Sequence, residues 1–275
     1  MYLHKNPEHA NNFTFRRDKT GKNCSGGLRK NLYVFKLLPV LFIFFSQTTF
    51  GIEQQSVLQA QQNNETIFIN AAAKQLNKSP ETLTRIDYTR LEKLSLPYPA
   101  ITSIEPLTRF PNLKTLLLTS FYFTDANPLS YLTKLQRLDL LALRVTNIEP
   151  LRKLTSLQRL SLIGTKVTDI SPLGNLKNLQ YLYIGLMPVT NIEPIGRLSG
   201  LRTLHLTGSN VTDFSPLANL KNLEYLNLKG SQISDLRPIA KLTNLKELNL
   251  TNCDKITDQQ ILNLKSALPQ LNIKR

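Results

Sequence analysis

The sequence is dominated by leucines that recur at a fixed interval of 22 residues. Eight of them follow one another without an insertion: Leu91, Leu113, Leu135, Leu157, Leu179, Leu201, Leu223 and Leu245. When each of these leucines is counted as position 1, positions 4, 6, 11, 14, 17 and 20 are also apolar in almost every unit. Self-similarity at a period of this size indicates a solenoid, in which each unit stacks on the next.

One unit is too small to bury its own apolar side chains, so neighbouring units must cover each other. The apolar residues at positions 4 and 6 predict a short strand, and stacking places such strands side by side in parallel, about 4.8 Å apart. We therefore expect an α/β fold, a curved right-handed solenoid with parallel strands on its concave face. Short 3₁₀ or helical turns are expected on the convex face.

Proline and aspartate mark the predicted turns. Position 16 is proline in all seven complete units, and position 13 is Asp or Asn in six of them. Proline suits the start of a helical turn, where no backbone donor is needed. Asp and Asn side chains accept hydrogen bonds from the backbone amide two residues further on. The Thr-Asp-x-x-Pro string, as at Thr212 to Pro216, is therefore interpreted as scaffold and not as a catalytic or metal-binding motif.

The segment VTDISPLGNLKNL at 167–179 is close to the internal consensus of the internalin-like leucine-rich repeats of bacteria, which the chain resembles from about residue 65 to residue 250. This resemblance implies a protein-binding module that uses its concave strand face. Position 9, commonly Asn in the family, holds no Asn in this chain: it is Pro99, Phe121, Leu143, Thr165, Met187, Ser209, Ser231 and Cys253. We expect the early turns to pack through apolar contact instead of an asparagine ladder.

An open stack needs a cap at each end. Residues 65–90 are predicted to form a helical N-terminal cap, since Ile67, Ile69, Ala72, Ala73 and Leu76 have helical spacing. Seven 22-residue repeats follow at 91–244, and 245–275 form an irregular last repeat that resembles the cysteine-containing subtype. The resemblance implies a true helix at about 258–267, and we expect Cys253 to be a buried small residue.

The first 51 residues have the three-part pattern of a secretory signal. Basic residues precede an apolar stretch from Leu37 to Phe45, and a polar exit with small residues follows. An uncleaved signal anchor is the alternative, but spanning a bilayer takes about 20 apolar residues, and Lys36 and Pro39 interrupt this run. Residues 52–64 are rich in Gln and Asn and are interpreted as a linker.

Residues that could support catalysis are scarce. Beyond the predicted signal there is one histidine, His205, and the chain has two cysteines, so neither a zinc site nor a nucleophilic triad is indicated. No glycine-rich phosphate loop follows a predicted strand. We expect a protein that is not an enzyme, with no cofactor and no metal.

The concave face is the candidate binding surface, because side chains alternate along a strand and positions 3 and 5 point away from the core. In the middle of the arc these positions bring basic, tyrosine and histidine residues together, and Tyr and Arg often dominate interface energetics. The predicted partner-binding residues are Arg137, Arg159, Tyr181, Tyr183, His205 and Tyr225. The alternative is that these residues are ordinary solvated surface. Four apolar residues at the strand ends either extend the patch or cover the turns that lack Asn: Leu117, Leu141, Ile163 and Leu186.

The leading functional hypothesis is an exported, non-enzymatic leucine-rich repeat module that recognises a protein partner. The formal net charge of +15, of which +6 lies in residues 1–51, supports an alternative binder of acidic glycan or anionic lipid at the cell envelope. A third possibility is a membrane-anchored structural component of an envelope assembly. We expect a monomer that does not bind nucleic acid and that contacts a membrane only if the N-terminal segment stays uncleaved.

Overall fold

The computed structural model describes residues 64–98 and 100–275. The predicted signal or anchor at 1–51 and the predicted linker, except for its last residue Asn64, lie outside the described residues. Within the described part, none of the helices combines the length and the apolar character needed to cross a bilayer.

In the described part of the chain, nine parallel strands form one open sheet in the order of the sequence. Their bounds are β1 Lys93–Pro97, β2 Thr115–Ser120, β3 Arg137–Ala142, β4 Arg159–Ile163, β5 Tyr181–Gly185, β6 Thr203–Thr207, β7 Tyr225–Asn227, β8 Glu247–Asn249 and β9 Asn272–Lys274. From β1 to β8 every strand pairs with the next at an offset of 22 residues, as in Leu160 opposite Leu182 and Leu182 opposite Leu204. All three leucines are fully buried. The expected solenoid is confirmed, and β9 adds a strand that the repeat count did not include.

Short 3₁₀ turns lie opposite the strands, one in each repeat. They are Glu105–Arg109, Asn127–Tyr131, Glu149–Lys153, Ser171–Asn175, Glu193–Arg197, Ser215–Asn219 and Ile239–Lys241. In the first six turns proline is the second residue, where its missing N–H leaves no hydrogen bond unmade, and Pro238 immediately precedes the seventh.

The position-13 side chains act as the scaffold interpretation predicts. Each Asp or Asn oxygen accepts a hydrogen bond of 2.8 or 2.9 Å from the backbone N–H two residues on, and in five of the six cases that N–H belongs to the first residue of the 3₁₀ turn. Asp213, for example, accepts from the amide of Ser215, and this bond holds the pKa of Asp213 below its usual value. The repeated aspartates therefore initiate turns.

At position 9, the apolar side chains of the second and third turns are half-buried, and Met187 in a later turn is 2% exposed. The hydroxyls of Thr165 and Ser209 are buried and have no hydrogen-bond partner among the described residues. Cys253 is buried as expected and donates its thiol to the carbonyl of Leu228 at 3.1 Å.

A different asparagine ladder joins the repeats at position 22, just before each strand-leading leucine. The side-chain amides of four asparagines donate at 2.7–2.9 Å to a backbone carbonyl of the preceding repeat or, for the first of them, of the short helix Arg85–Arg90 in the N-terminal cap: Asn112, Asn178, Asn222 and Asn244. These bonds supply a polar link between repeats that the sequence analysis did not anticipate.

Helices close the stack at both ends. At the N-terminal end, α1 (Asn64–Leu76) packs against the apolar core of the repeats through Phe68, Ala71 and Ala72. Phe68 was not among the residues predicted from the helical spacing. Helix α2 (Arg85–Arg90) begins with a capping box between Thr84 and Asp87. At the C-terminal end, α3 (Asp258–Ala267) has the predicted bounds and leads to β9.

Candidate functional site

All six predicted binding residues lie on the concave face of strands β3 to β7. Arg137, Arg159, Tyr181 and Tyr225 share one register row with Thr203, while Tyr183 and His205 lie in the next row with Asp139, Ser161 and Asn227. The residues between these rows, such as Leu182, are fully buried. The alternation of the strands therefore brings the six side chains to one surface.

Four rings form a contiguous group, which we call the aromatic cluster: Tyr181, Tyr183, His205 and Tyr225. His205 is at its centre, with ring centroids 5.4 Å from Tyr181, 5.2 Å from Tyr183 and 5.1 Å from Tyr225. The rings are tilted by 36–49° relative to the imidazole. Each ring is partly exposed, so the cluster is a preformed apolar platform with polar tips.

Gly185 makes room for one ring of this platform. A Cβ atom at Gly185 would lie 2.7 Å from Cε2 of Tyr183, so the tyrosine ring occupies the space that a side chain would fill. The Tyr183 hydroxyl also lies 3.4 Å from Oγ1 of Thr207. Both Gly185 and Thr207 are at position 7, two residues beyond Tyr183 and His205 on the same side of the strand; from the sequence, this position was considered only at Leu141 and Ile163.

Arg159 extends the aromatic cluster on its β4 side. Its guanidinium carbon lies 4.1 Å from the centroid of the Tyr181 ring, which is a close cation–π contact. The Nε of Arg159 is buried without a hydrogen-bond partner in the described part of the chain. Arg159 is thus held in place by stacking, and its two Nη groups make no hydrogen bond within the described residues.

Arg137 is on the same face but is already paired. Its Nη2 and Nε donate to Oδ2 of Asp139 at 2.5 and 2.9 Å, within the same strand. Both side chains are mostly shielded from solvent. Since an ion pair satisfies the guanidinium and neutralises its charge, Arg137 contributes a rigid polar border to the site.

Burial shifts the ionisation of the cluster. Burial, together with the positive charge of Arg159, lowers the pKa of His205 to about 4, so the imidazole is neutral at physiological pH. Its Nδ1 lies 3.3 Å from the side-chain amide nitrogen of Asn227. Burial also raises the pKa of Tyr181 and of Tyr225, so both phenols remain protonated.

The apolar residues at the strand ends divide between packing and exposure. Leu141 and Ile163 are 9% and 7% exposed and belong to the packed interior, and Leu117 is half-buried. Leu186 is 55% exposed and has φ of 53°, at a repeat position where the following units have Gly208 and Gly230. Of the four, Leu186 extends the exposed patch most.

A second stacked pair lies outside the strands, and the sequence analysis did not detect it. The guanidinium of Arg144 is 5.1 Å from the centroid of the Tyr122 ring. Within the described residues, no group of three or more His, Cys, Asp or Glu side chains is arranged to hold a metal ion.

Two segments, residues 155–197 and 221–266, match the family model described as leucine rich repeats (2 copies). Internalin C2 from Listeria monocytogenes is similar in structure, with a TM-score of 0.65 and 33% identity over 76% of this chain and 92% of that chain. A second internalin from the same species has a TM-score of 0.60 and 28% identity over 76% of this chain and 68% of its own. A leucine-rich repeat protein from Leptospira interrogans has a TM-score of 0.62 over 70% of this chain and 52% of its own, and its 24% identity shows a likeness of fold alone. No curated protein matches the sequence.

Proposed function

The chain belongs to the internalin-like family of bacterial leucine-rich repeat proteins, and we propose that it is an exported, non-enzymatic module that recognises another protein with its concave face. The aromatic cluster is the observation that carries this proposal. The His205 ring contacts each of the three tyrosine rings at 5.1–5.4 Å, and all four rings are partly exposed. A preformed group of aromatic side chains can bury apolar area on binding with little loss of side-chain entropy.

The proposed contact residues are Arg137, Arg159, Tyr181, Tyr183, His205 and Tyr225, with Leu186 at the margin. Large amphipathic side chains in a concave surface are the residue types that most often supply binding energy. The rigid sheet beneath them supports a binding mode in which the backbone moves little.

The surroundings of His205 support a non-enzymatic role. It is the one histidine after residue 51, and its ring is packed among tyrosines with an asparagine amide beside Nδ1. A general base needs a substrate proton or a nucleophile within hydrogen-bond reach. The stacked imidazole instead serves as a flat, neutral part of the platform.

Export is proposed from the basic and apolar pattern of the first 51 residues, with a linker at 52–64, a cap at 65–90, repeats at 91–244 and an irregular end at 245–275. Sequencing the N-terminus of the mature protein tests this part of the proposal. A start near Ile52 supports a cleaved signal, whereas retention of the apolar run supports the anchor.

The alternative binder of polyanions is less well supported by the charge arrangement. Several exposed basic side chains are paired with acids, as Lys114 is with Glu92, and Arg202 and Lys246 both are with Glu224. Such pairs reduce the charge that the surface offers to an anionic glycan or lipid.

The test of the concave face begins with the full chain as bait for envelope and medium fractions, followed by affinity measurements with the captured protein. Tyr181→Ala combined with Tyr183→Ala is expected to weaken binding about tenfold or more, with little change in melting temperature. Tyr131→Ala is the matched control, because Tyr131 is 64% exposed and lies in a 3₁₀ turn away from the strands. Undiminished affinity of the double variant would reject this face.

A further inference from the structure

Arg159 is the charged group of the central concave face that lacks an opposite charge. In strands β3 to β6, the outward positions 3, 5 and 7 carry three ionised side chains, Arg137, Asp139 and Arg159. Arg137 and Asp139 are joined by two hydrogen bonds. Arg159 has neither an ion pair nor a hydrogen bond from its guanidinium within the described residues, and its Nε is buried.

The stacking of Arg159 prepares it for a planar acceptor. With the guanidinium carbon 4.1 Å from the Tyr181 ring centroid, the face of the group is occupied and its two Nη groups have no acceptor within the described residues. A carboxylate can accept two parallel hydrogen bonds from the edge that the two Nη groups form. Because the group is already ordered, little side-chain entropy is lost when the acceptor arrives.

We propose that Arg159 binds the carboxylate of an Asp or Glu side chain in an exposed segment of a protein partner, whose adjoining apolar residue packs on the aromatic cluster. This inference rests on the proposed function and specifies the chemistry of its partner. The rings of Tyr181, Tyr183 and His205 border Arg159 on the side toward β6, so one short segment can contact both the charge and the rings.

The charges around Arg159 favour one carboxylate over a chain of anionic groups. Strands β3 to β6 present a single uncompensated positive charge, because the charges of Arg137 and Asp139 offset each other in their ion pair. The adjacent outward residues Ser161, Tyr181 and Tyr183 are neutral. A polyanion would require a row of cations, which these four strands do not present.

The test selects peptides from a phage-displayed random dodecamer library on the immobilised full chain. The wild type and Arg144→Gln are expected to enrich peptides that contain Asp or Glu next to an apolar residue. Arg144 is the matched control because it is also stacked on a tyrosine, Tyr122, but lies outside the concave strands. Arg159→Gln is expected to lose the acidic preference.

Selected peptides are then synthesised with the acidic residue and with its amide counterpart. Removing the carboxylate is expected to weaken binding to the wild type about tenfold or more and to have no further effect on Arg159→Gln. The change in the peptide needs no protein variant, so it tests the proposal even if Arg159→Gln fails to fold. Arg159→Lys should retain part of the affinity, since it keeps the charge but not the two-bond geometry.

Three results would overturn the inference. These are the absence of acidic enrichment, equal loss of affinity on the wild type and on Arg159→Gln when the carboxylate is removed, and displacement of the peptides by heparin as effectively as by free acidic peptide. Peptides that require Tyr181 and Tyr183 but contain no acidic residue would overturn the proposed recognition of a carboxylate by Arg159. They would leave the proposed function of the concave face intact. Peptides that require neither the tyrosines nor Arg159 would count against both.

Discussion

Two glycines at the same repeat position provide a matched test of how the convex turns stack. Gly174 and Gly196 are each the fourth residue of a five-residue 3₁₀ turn, and neither has a positive φ. A Cβ at Gly196 would lie 2.9 Å from the backbone oxygen of Pro216 and 3.1 Å from its Cβ. A Cβ at Gly174 would meet its neighbours at ordinary distances of 3.5 and 3.6 Å.

The two alanine substitutions are therefore expected to have opposite signs. Gly174→Ala should raise the free energy of unfolding by about 0.4–1 kcal/mol, because alanine restricts the unfolded chain and fits the folded one. The equivalent position in a later turn is already Ala218. Gly196→Ala should lower the free energy of unfolding by about 1–3 kcal/mol, since the obstacle is backbone and cannot rotate away.

Urea denaturation followed by circular dichroism measures both changes from the midpoint and slope of the transition. Thermal melting provides a second reading, at about 2–4 °C per kcal/mol for a chain of this size. A Gly196→Ala variant as stable as the wild type would refute the reasoning, because it would mean that successive turns can separate by several tenths of an ångström without cost. A destabilised Gly174→Ala would equally contradict it.

Three further predictions concern the core and the site. Thr165→Val should raise the free energy of unfolding by about 1 kcal/mol in urea denaturation, because it removes a buried hydroxyl that has no partner among the described residues; a decrease would mean that the hydroxyl is satisfied in solution. Since the pKa of His205 is lowered to about 4, the unfolded state takes up a proton first as the pH falls below about 6.5, and stability should fall by about 2 kcal/mol between pH 7 and pH 5. His205→Gln should abolish most of that fall, and an unchanged pH dependence would exclude His205 as its source. Leu182→Ala, at a fully buried position, should lower the free energy of unfolding by about 2–5 kcal/mol. Any loss of binding affinity should match the loss of folded protein measured by thermal melting.

The fold could be predicted from the sequence because its period repeats without insertion. The leucines at one repeat position all have the same surroundings, so eight copies of the pattern together specify the strands, the turns and the register of the sheet. The ends escape this reasoning, since Phe68 in α1 and the strand β9 occur once and have no repeat to compare with. The position-22 asparagines were overlooked because an exposed Asn in a turn is compatible with many local hydrogen bonds.

The candidate site was predicted at the level of which residues share a face, and no further. Alternation along a strand decides on which side a residue lies, but not whether an arginine pairs, stacks or stays free. Arg137 and Arg159 occupy the same position in adjacent repeats, yet one is bound to Asp139 and the other is stacked on Tyr181. The difference depends on the side-chain torsions of each arginine and on the residue that faces it from the next strand. A repeat pattern describes only what all copies of a position have in common, so it does not contain this information.

The alternation that made the fold predictable also separates stability from recognition. Along β5, Leu182 and Ile184 are fully buried, while the alternating residues Tyr181 and Tyr183 are partly exposed. Outward residues can therefore change without altering the leucine rows, and the binding surface can be altered while the scaffold is retained. Gly185 is an exception, because it affects both the scaffold and the binding surface. It is buried within the strand, and the absence of a side chain leaves the space in which the Tyr183 ring lies. A substitution at Gly185 would therefore disturb both the packing of the strand and the position of the Tyr183 ring.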